Sequence, residues 1–133
     1  MYSIERIVPE TLPALFNLYN KMMSSFGLNE VHIYSQFGLD LQSPGFDAMG
    51  LFHNSSLVGF ISGKNSLTPK EYSIIGIYVE KAHLTQSVHL ATKFETLLKQ
   101  HGYESWSSDA ESMLGRRFME SLGAKPITYK KVL

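Results

Sequence analysis

The stretch Tyr72-Ser73-Ile74-Ile75-Gly76-Ile77-Tyr78-Val79 is apolar almost throughout, and it constrains the fold more than any other part of the chain. A strand of this kind needs cover on both faces, as at the centre of a sheet with helices above and below. A polar connector follows, Glu80-Lys81-Ala82-His83-Leu84-Thr85-Gln86-Ser87. Beyond it the spacing predicts a helix from Val88 to His101, stopped by Gly102. Val88, Ala91, Phe94, Leu97 and Leu98 form its apolar stripe with Leu90 at the edge, and Lys93, Glu95, Lys99 and Gln100 fall opposite. A strand feeding a short loop and a helix N-terminus is one way to build an anion site. The first backbone N–H groups of a helix lack internal partners, and the helix dipole favours negative charge there.

The rest of the chain arranges itself around this unit. Tyr2 to Val8 reads as a strand. Pro9-Glu10-Thr11 opens a helix with Thr11 as its expected N-cap, and Leu12, Leu15, Phe16, Tyr19, Met22, Met23 and Phe26 share one face up to Gly27. Asn29 to Leu41 is a weaker helical pattern with Val31, Tyr34, Phe37 and Leu41 expected on one side, broken by Ser43-Pro44-Gly45. Phe46 to His53 and Leu57 to Lys64 are strands joined by an Asn54-Ser55-Ser56 turn, and Gly59 and Gly63 suggest a bulge or a close backbone approach. Tyr103 to Ser107 is a short strand. Ser108-Asp109-Ala110-Glu111 reads as a capping box opening a helix to Gly123, and Lys125 to Leu133 alternates as a last strand. The result is a single α/β domain spanning 1–133, with a mixed sheet and the order β-α-α-β-β-β-α-β-α-β.

Composition removes several functions. Twelve basic against twelve acidic side chains leave no net charge, unlike a general nucleic-acid binder, so no nucleic-acid partner is expected. Without cysteine there is no disulfide, thiolate metal site or cysteine nucleophile. No metal site is expected from His53, His83 and His89, which lack a ligand motif. No run is long and apolar enough to span a membrane, and no secretion signal is read, so the expected location is cytoplasmic. Neither a nucleophile elbow nor a phosphate-binding P-loop is present.

The element order resembles the GNAT acetyltransferase fold, and two phrases strengthen the resemblance. Leu57-Val58-Gly59-Phe60-Ile61 is similar to that family's third-strand phrase. Phe118-Met119-Glu120-Ser121-Leu122-Gly123-Ala124 is similar to its late Phe-Tyr-Glu-Lys-Leu-Gly-Phe segment. The resemblance implies acetyl-CoA as cofactor, its pantetheine arm along Ile77, Tyr78 and Val79, and its diphosphate on Leu84, Thr85, Gln86, Ser87, Val88 and His89, with Ser112 at the family's Asn position before the last helix. It also implies direct attack of an amine on the thioester, which needs a base and an acid. Glu71, Glu80 and the loop residue His83 are base candidates. The family's thiolate-protonating Tyr is replaced by Met119, which leaves Tyr129 or Tyr78 as acid candidates.

The family's loop pattern, Gln/Arg-x-x-Gly-x-Gly/Ala, falls here on Leu84, Ser87 and His89, and all three depart from it. Two readings therefore stand side by side. One is an N-acetyltransferase acting on a small-molecule or protein amine. The other is a catalytically inactive GNAT-fold protein that binds a protein partner, of the kind found in bacteriophages, located in the virion or the host cytoplasm.

Overall fold

Asn54 and Ser55 both have positive φ, 50° and 71°, the signature of a two-residue type I′ turn. That turn joins strands β2 (Asp47–His53) and β3 (Ser56–Asn65), the second and third strands of a six-stranded sheet. A computed structural model describes residues 1–25, 27–108 and 129–133, with Tyr129 and Lys130 described by their backbone. The other elements are β1 (Tyr2–Arg6), α1 (Leu12–Ser24), α2 (Glu30–Leu41), β4 (Glu71–Val79), α3 (Ser87–Gln100), β5 (Ser105–Ser108) and β6 (Tyr129–Val132). Strands lie in sequence order, every neighbouring pair antiparallel except the parallel β4–β5 pair. This is the expected mixed α/β order as far as the described residues reach. The expected helix from Ser108 to Gly123 lies outside them.

Helices cover both faces. On one side α3 packs Leu90, Ala91, Phe94, Leu97 and Leu98 against Met49, Leu51, Ile61, Tyr72, Ile74 and Trp106. On the other, α1 and α2 pack Leu15, Leu18, Tyr19, Met22 and Ile33 against Ala48 and Phe60. The strand Tyr72–Val79 is thus covered on both faces, as its unbroken apolar character requires.

Local details differ from the sequence expectation in three places. Thr11 makes no side-chain cap; a 3-10 turn, Pro9–Thr11, feeds α1 instead and its geometry continues into the helix. Asn29 does cap α2, accepting from the His32 N–H at 3.0 Å. The face of α2 is rotated from the one expected. Ile33 is fully buried and Asp40 nearly so, whereas Val31 and Tyr34 are 74% and 72% exposed. The turn is set by Tyr19, whose hydroxyl donates to Asp40 Oδ2 at 3.1 Å. Burial and the neighbouring carboxylate hold the Tyr19 phenol well above its ordinary pKa, so it stays a donor. Finally, Glu95 sits under the sheet and not on the solvent side of α3.

Candidate active site: a split between two strands

β4 is nine residues long, yet it pairs with β5 only through Glu71–Ser105, Tyr72–Trp106 and Ser73–Ser107. From Ile74 to Val79 no strand among the described residues lies on that side. The two strands part where β4 also carries a bulge: Ser62 faces Gly76 and Gly63 faces Ile74, which leaves Ile75 without a partner on β3. One extra residue reverses the alternation of side chains. Before the bulge Tyr72 and Ile74 face α3; after it Ile77 and Val79 do, while a Cβ on Gly76 would meet Met22 Cε of α1 at 3.2 Å.

The ladder also fixes where the backbone points. Glu80 N–H donates to Val58 O at 2.9 Å. In an antiparallel pair backbone groups alternate sides, so Tyr78 and Glu80 turn theirs to β3, and Ile77 and Val79 turn theirs to the open side. An extended, amide-bearing ligand could add to this edge as a strand would. These two positions, read from sequence as cofactor contacts, are the ones whose ladder groups face no strand among the described residues. Tyr78 packs its ring on the α1–α2 side.

The connector is not a loop. Lys81–Gln86 forms a 3-10 turn that runs directly into α3. Ser87 is buried, with φ −60° and ψ −40°, a conformation open to any residue, so nothing in the backbone here demands the family's glycine. Its N–H donates to Leu84 O and is therefore already used. His89 is exposed and turned along the helix, its Nδ1 donating to Gln86 Oε1 at 3.1 Å. Leu84, Thr85 and Val88 are exposed around it. The residues Leu84 to His89 are thus gathered at the start of a 14-residue helix, whose dipole favours an anion there.

His83 leaves this group. Its Nδ1 is hydrogen bonded to the Tyr2 hydroxyl at 2.7 Å, and its ring lies 4.9 Å from that of His53, centroid to centroid. Three segments distant in sequence meet there and tie the 3-10 turn to the far strands. Burial, then the Met1 amino group, then His83 hold the His53 imidazole below its ordinary pKa. No group of three or more His, Cys, Asp or Glu residues among those described has metal-site geometry.

The candidate acid–base residues are spread along the split. Glu80, at the exit of β4, is paired with Lys21 Nζ of α1 at 3.4 Å. Glu71, at the closed end, accepts from Ser66 Oγ at 3.2 Å and Ser107 Oγ at 3.3 Å. Tyr129 pairs with Ser108 in the register of β6, level with the start of the split and two strands, about 10 Å, from β4. Ser112 and Met119 lie outside the described residues. The sequence reading missed the bulge at Ile75, but a bulge or close approach at Gly59 and Gly63 is present: Val58 has no partner on β2, and a Cβ on Gly59 or Gly63 would meet the backbone carbonyl of Tyr78 or Ser73. A run apolar on both faces hides a change of phase.

Neither a protein-family model nor a curated protein matches the sequence. Solved structures do match in fold. An acetyltransferase of the GNAT family from Staphylococcus aureus superposes with a TM-score of 0.85 at 13% identity, over 100% of this chain and 99% of that one. The PaiA N-acetyltransferase from Thermoplasma acidophilum, in complex with coenzyme A, gives 0.76 at 17% identity over 100% and 99%. An aminoglycoside N-acetyltransferase in complex with CoA gives 0.77 at 12% identity over 100% and 92%. The chain has the GNAT fold. No helix among the described residues is long and apolar enough to cross a membrane.

Proposed function

We propose that this protein is an acetyl-CoA-dependent N-acetyltransferase that acts by direct attack of an amine. The observation that carries this reading is the split itself: a bulge at Ile75, backbone groups on Ile77 and Val79 that face no strand among the described residues, and a helix start at Ser87 beyond them. CoA-bound proteins of the same fold support it.

The residues fit the cofactor along β4 and, with one qualification of chemistry, at α3. Ile77 and Val79 offer an N–H and a C=O each to an amide-bearing arm. At the helix start the Ser87 hydroxyl and the dipole take the place of glycine-loop N–H groups. When bound, acetyl-CoA supplies an acetyl thioester. In the balanced step an amine nitrogen bonds to the acetyl carbon, the C–S bond breaks, the amine loses a proton and the thiolate gains one. Glu80, at the exit of β4, and Tyr129, level with Ile74, are the candidates for the two proton transfers; about 20 Å separates them along the strand, so a single amine and thioester can use only one of the two directly.

A second reading has its own support. The Ser87 N–H is spent on Leu84, and Gln86 and His89 bridge across the first turn of α3. A GNAT-fold binding protein without catalysis, of the bacteriophage kind, would carry such a closed turn. A thermal shift with acetyl-CoA separates the two. At about 100 times its dissociation constant the cofactor adds about 2.7 kcal/mol of stability. A shift, with thiol release when amines are added, is the expected result; no shift at millimolar acetyl-CoA overturns the enzyme.

A further inference from the structure

β1 (Tyr2–Arg6) is the first strand of the sheet, and β2 lies on one side of it. No strand among the described residues lies along its other edge. Two hydrogen bonds show which backbone groups face that edge. Ile7 N–H donates to Ala48 O at 2.9 Å, and Asn54 N–H donates to Met1 O at 3.1 Å. Backbone groups alternate sides along an antiparallel pair, so Ser3 and Glu5 also turn theirs to β2, and Tyr2, Ile4 and Arg6 turn theirs outward. An open edge is a template for another strand, and proteins blunt it with a bulge, a proline, a cover or unpaired charge. The register of β1 with β2 runs unbroken from Tyr2 to Arg6, the strand has no proline, and every residue but Ile4 is exposed. Of its two charges, Arg6 is already paired with Asp47 at 2.6 Å, which leaves Glu5.

We propose that this edge pairs with the same edge of a second copy of the chain, joining the two sheets into one about a two-fold axis. The pairing does not depend on the acetyltransferase reading. A two-fold interface brings residue i to j and j to i. Outward residues must also face outward residues, or no ladder bond forms. A pairing centred on Glu5 would set two carboxylates directly opposite each other, which is unfavourable, and one centred on Ser3 would leave Arg6 beyond the strand's end. Centred on Ile4, the strand complements itself: Tyr2 faces Arg6 of the second copy, Ile4 faces Ile4, and Ser3 faces Glu5. The guanidinium then comes within reach of the Tyr2 ring, and the Ser3 hydroxyl can donate to the opposite carboxylate. Tyr2 also holds His83 through its hydroxyl, so the joint lies against the connector turn that leads into α3. A joint of one short strand is small, and the dimer is expected to form weakly and with rising concentration.

Sedimentation equilibrium of the full chain over a hundredfold range of concentration, with amide hydrogen exchange at both ends of the range, tests this. The average mass is expected to rise from monomer towards dimer. The Tyr2, Ile4 and Arg6 amides are expected to slow with concentration, while those of Ser3 and Glu5 are slow throughout because β2 already holds them. Ser3 is exposed, so a change of its charge leaves the fold intact. Ser3→Glu, opposite Glu5 of the second copy, is expected to weaken association about tenfold, and Ser3→Lys to strengthen it. A monomer at every concentration overturns the proposal and would leave the edge to a strand of another protein. A dimer whose outward amides exchange as fast as in the monomer also overturns it, since another surface would then hold the copies together. Equal association of the two Ser3 variants overturns the pairing centred on Ile4.

Discussion

Trp106 Nε1 donates to Glu95 Oε2 at 2.9 Å beneath the sheet, and the same carboxylate holds Lys131 Nζ at 2.7 Å. One acidic side chain thereby joins α3, β5 and β6. Removing it leaves a buried indole N–H and a partly buried ammonium without an acceptor. Glu95→Ala is therefore expected to cost about 3 kcal/mol in urea unfolding, since breaking a buried pair from one side is far costlier than replacing both partners. Glu95→Gln keeps an acceptor for Trp106 and is expected to cost less. Equal losses in the two variants would show that packing, not the polar network, holds this corner.

Glu95 also shows where the sequence was legible and where it was not. The strand and helix order came through because each element has a strong period or a sharp stop: the Asn54-Ser55 turn, the Gly27 and Gly102 stops, the stripe of α3. What hydropathy cannot reveal is a charge buried because a tryptophan on another strand needs an acceptor. The α2 face failed for a related reason. Val31, Ile33, Tyr34, Phe37, Leu39 and Leu41 ring the helix almost evenly, so the buried side was decided by the Tyr19–Asp40 hydrogen bond to another helix. In the candidate site the strand–turn–helix scaffold was readable. The 3-10 form of the connector was not, because so short a polar turn has no period to read, and the bulge at Ile75 was not, because a run apolar on both faces shows no change of phase.

Two glycines are expected to behave oppositely. Gly38 lies inside α2 with nothing within 4 Å of a Cβ position, so Gly38→Ala is expected to stabilise by about 0.5–1 kcal/mol through helix propensity. A Cβ on Gly63 would strike the backbone carbonyl of Ser73 and the ring of Tyr72. Gly63→Ala is expected to lower the unfolding midpoint clearly and, by pushing β3 from β4 at the bulge, to weaken any acetyl-CoA shift. Chemical denaturation of both variants checks the pair.

Proline can separate the free edge of β4 from its paired edge. Ile77 turns its N–H away from β3, so Ile77→Pro removes no ladder bond and is expected to leave a folded protein. It also removes a donor from the open side, and the acetyl-CoA shift is expected to disappear. Tyr78→Pro removes a ladder bond and is expected to unfold the sheet. Circular dichroism with thermal shifts distinguishes them; an unchanged acetyl-CoA shift in Ile77→Pro would place the cofactor elsewhere.

The contact of His53 with His83 and Tyr2 makes stability sensitive to mild acid. With its pKa lowered in the fold, His53 is neutral there while the unfolded chain takes up a proton more readily. The unfolded state thus binds more protons just below pH ~6.5, so stability falls as pH drops through that range toward the folded value. The Met1 amino group and His83 both face this ring and add to the repulsion. Urea midpoints at pH 7.5 and 5.5 are expected to differ less in His53→Asn than in the parent chain. An identical pH slope in both would assign the effect to other groups.

The bulge at Ile75 divides β4 into two grammars of tolerance. In a saturation scan of Glu71 to Val79, intolerance to polar residues should alternate on even numbers up to Ile74 and resume on odd numbers from Ile77. Deleting Ile75 would bring the two halves into one phase. Every residue beyond it would then offer its neighbour the wrong side, and the edge that Ile77 and Val79 leave open would belong to other side chains.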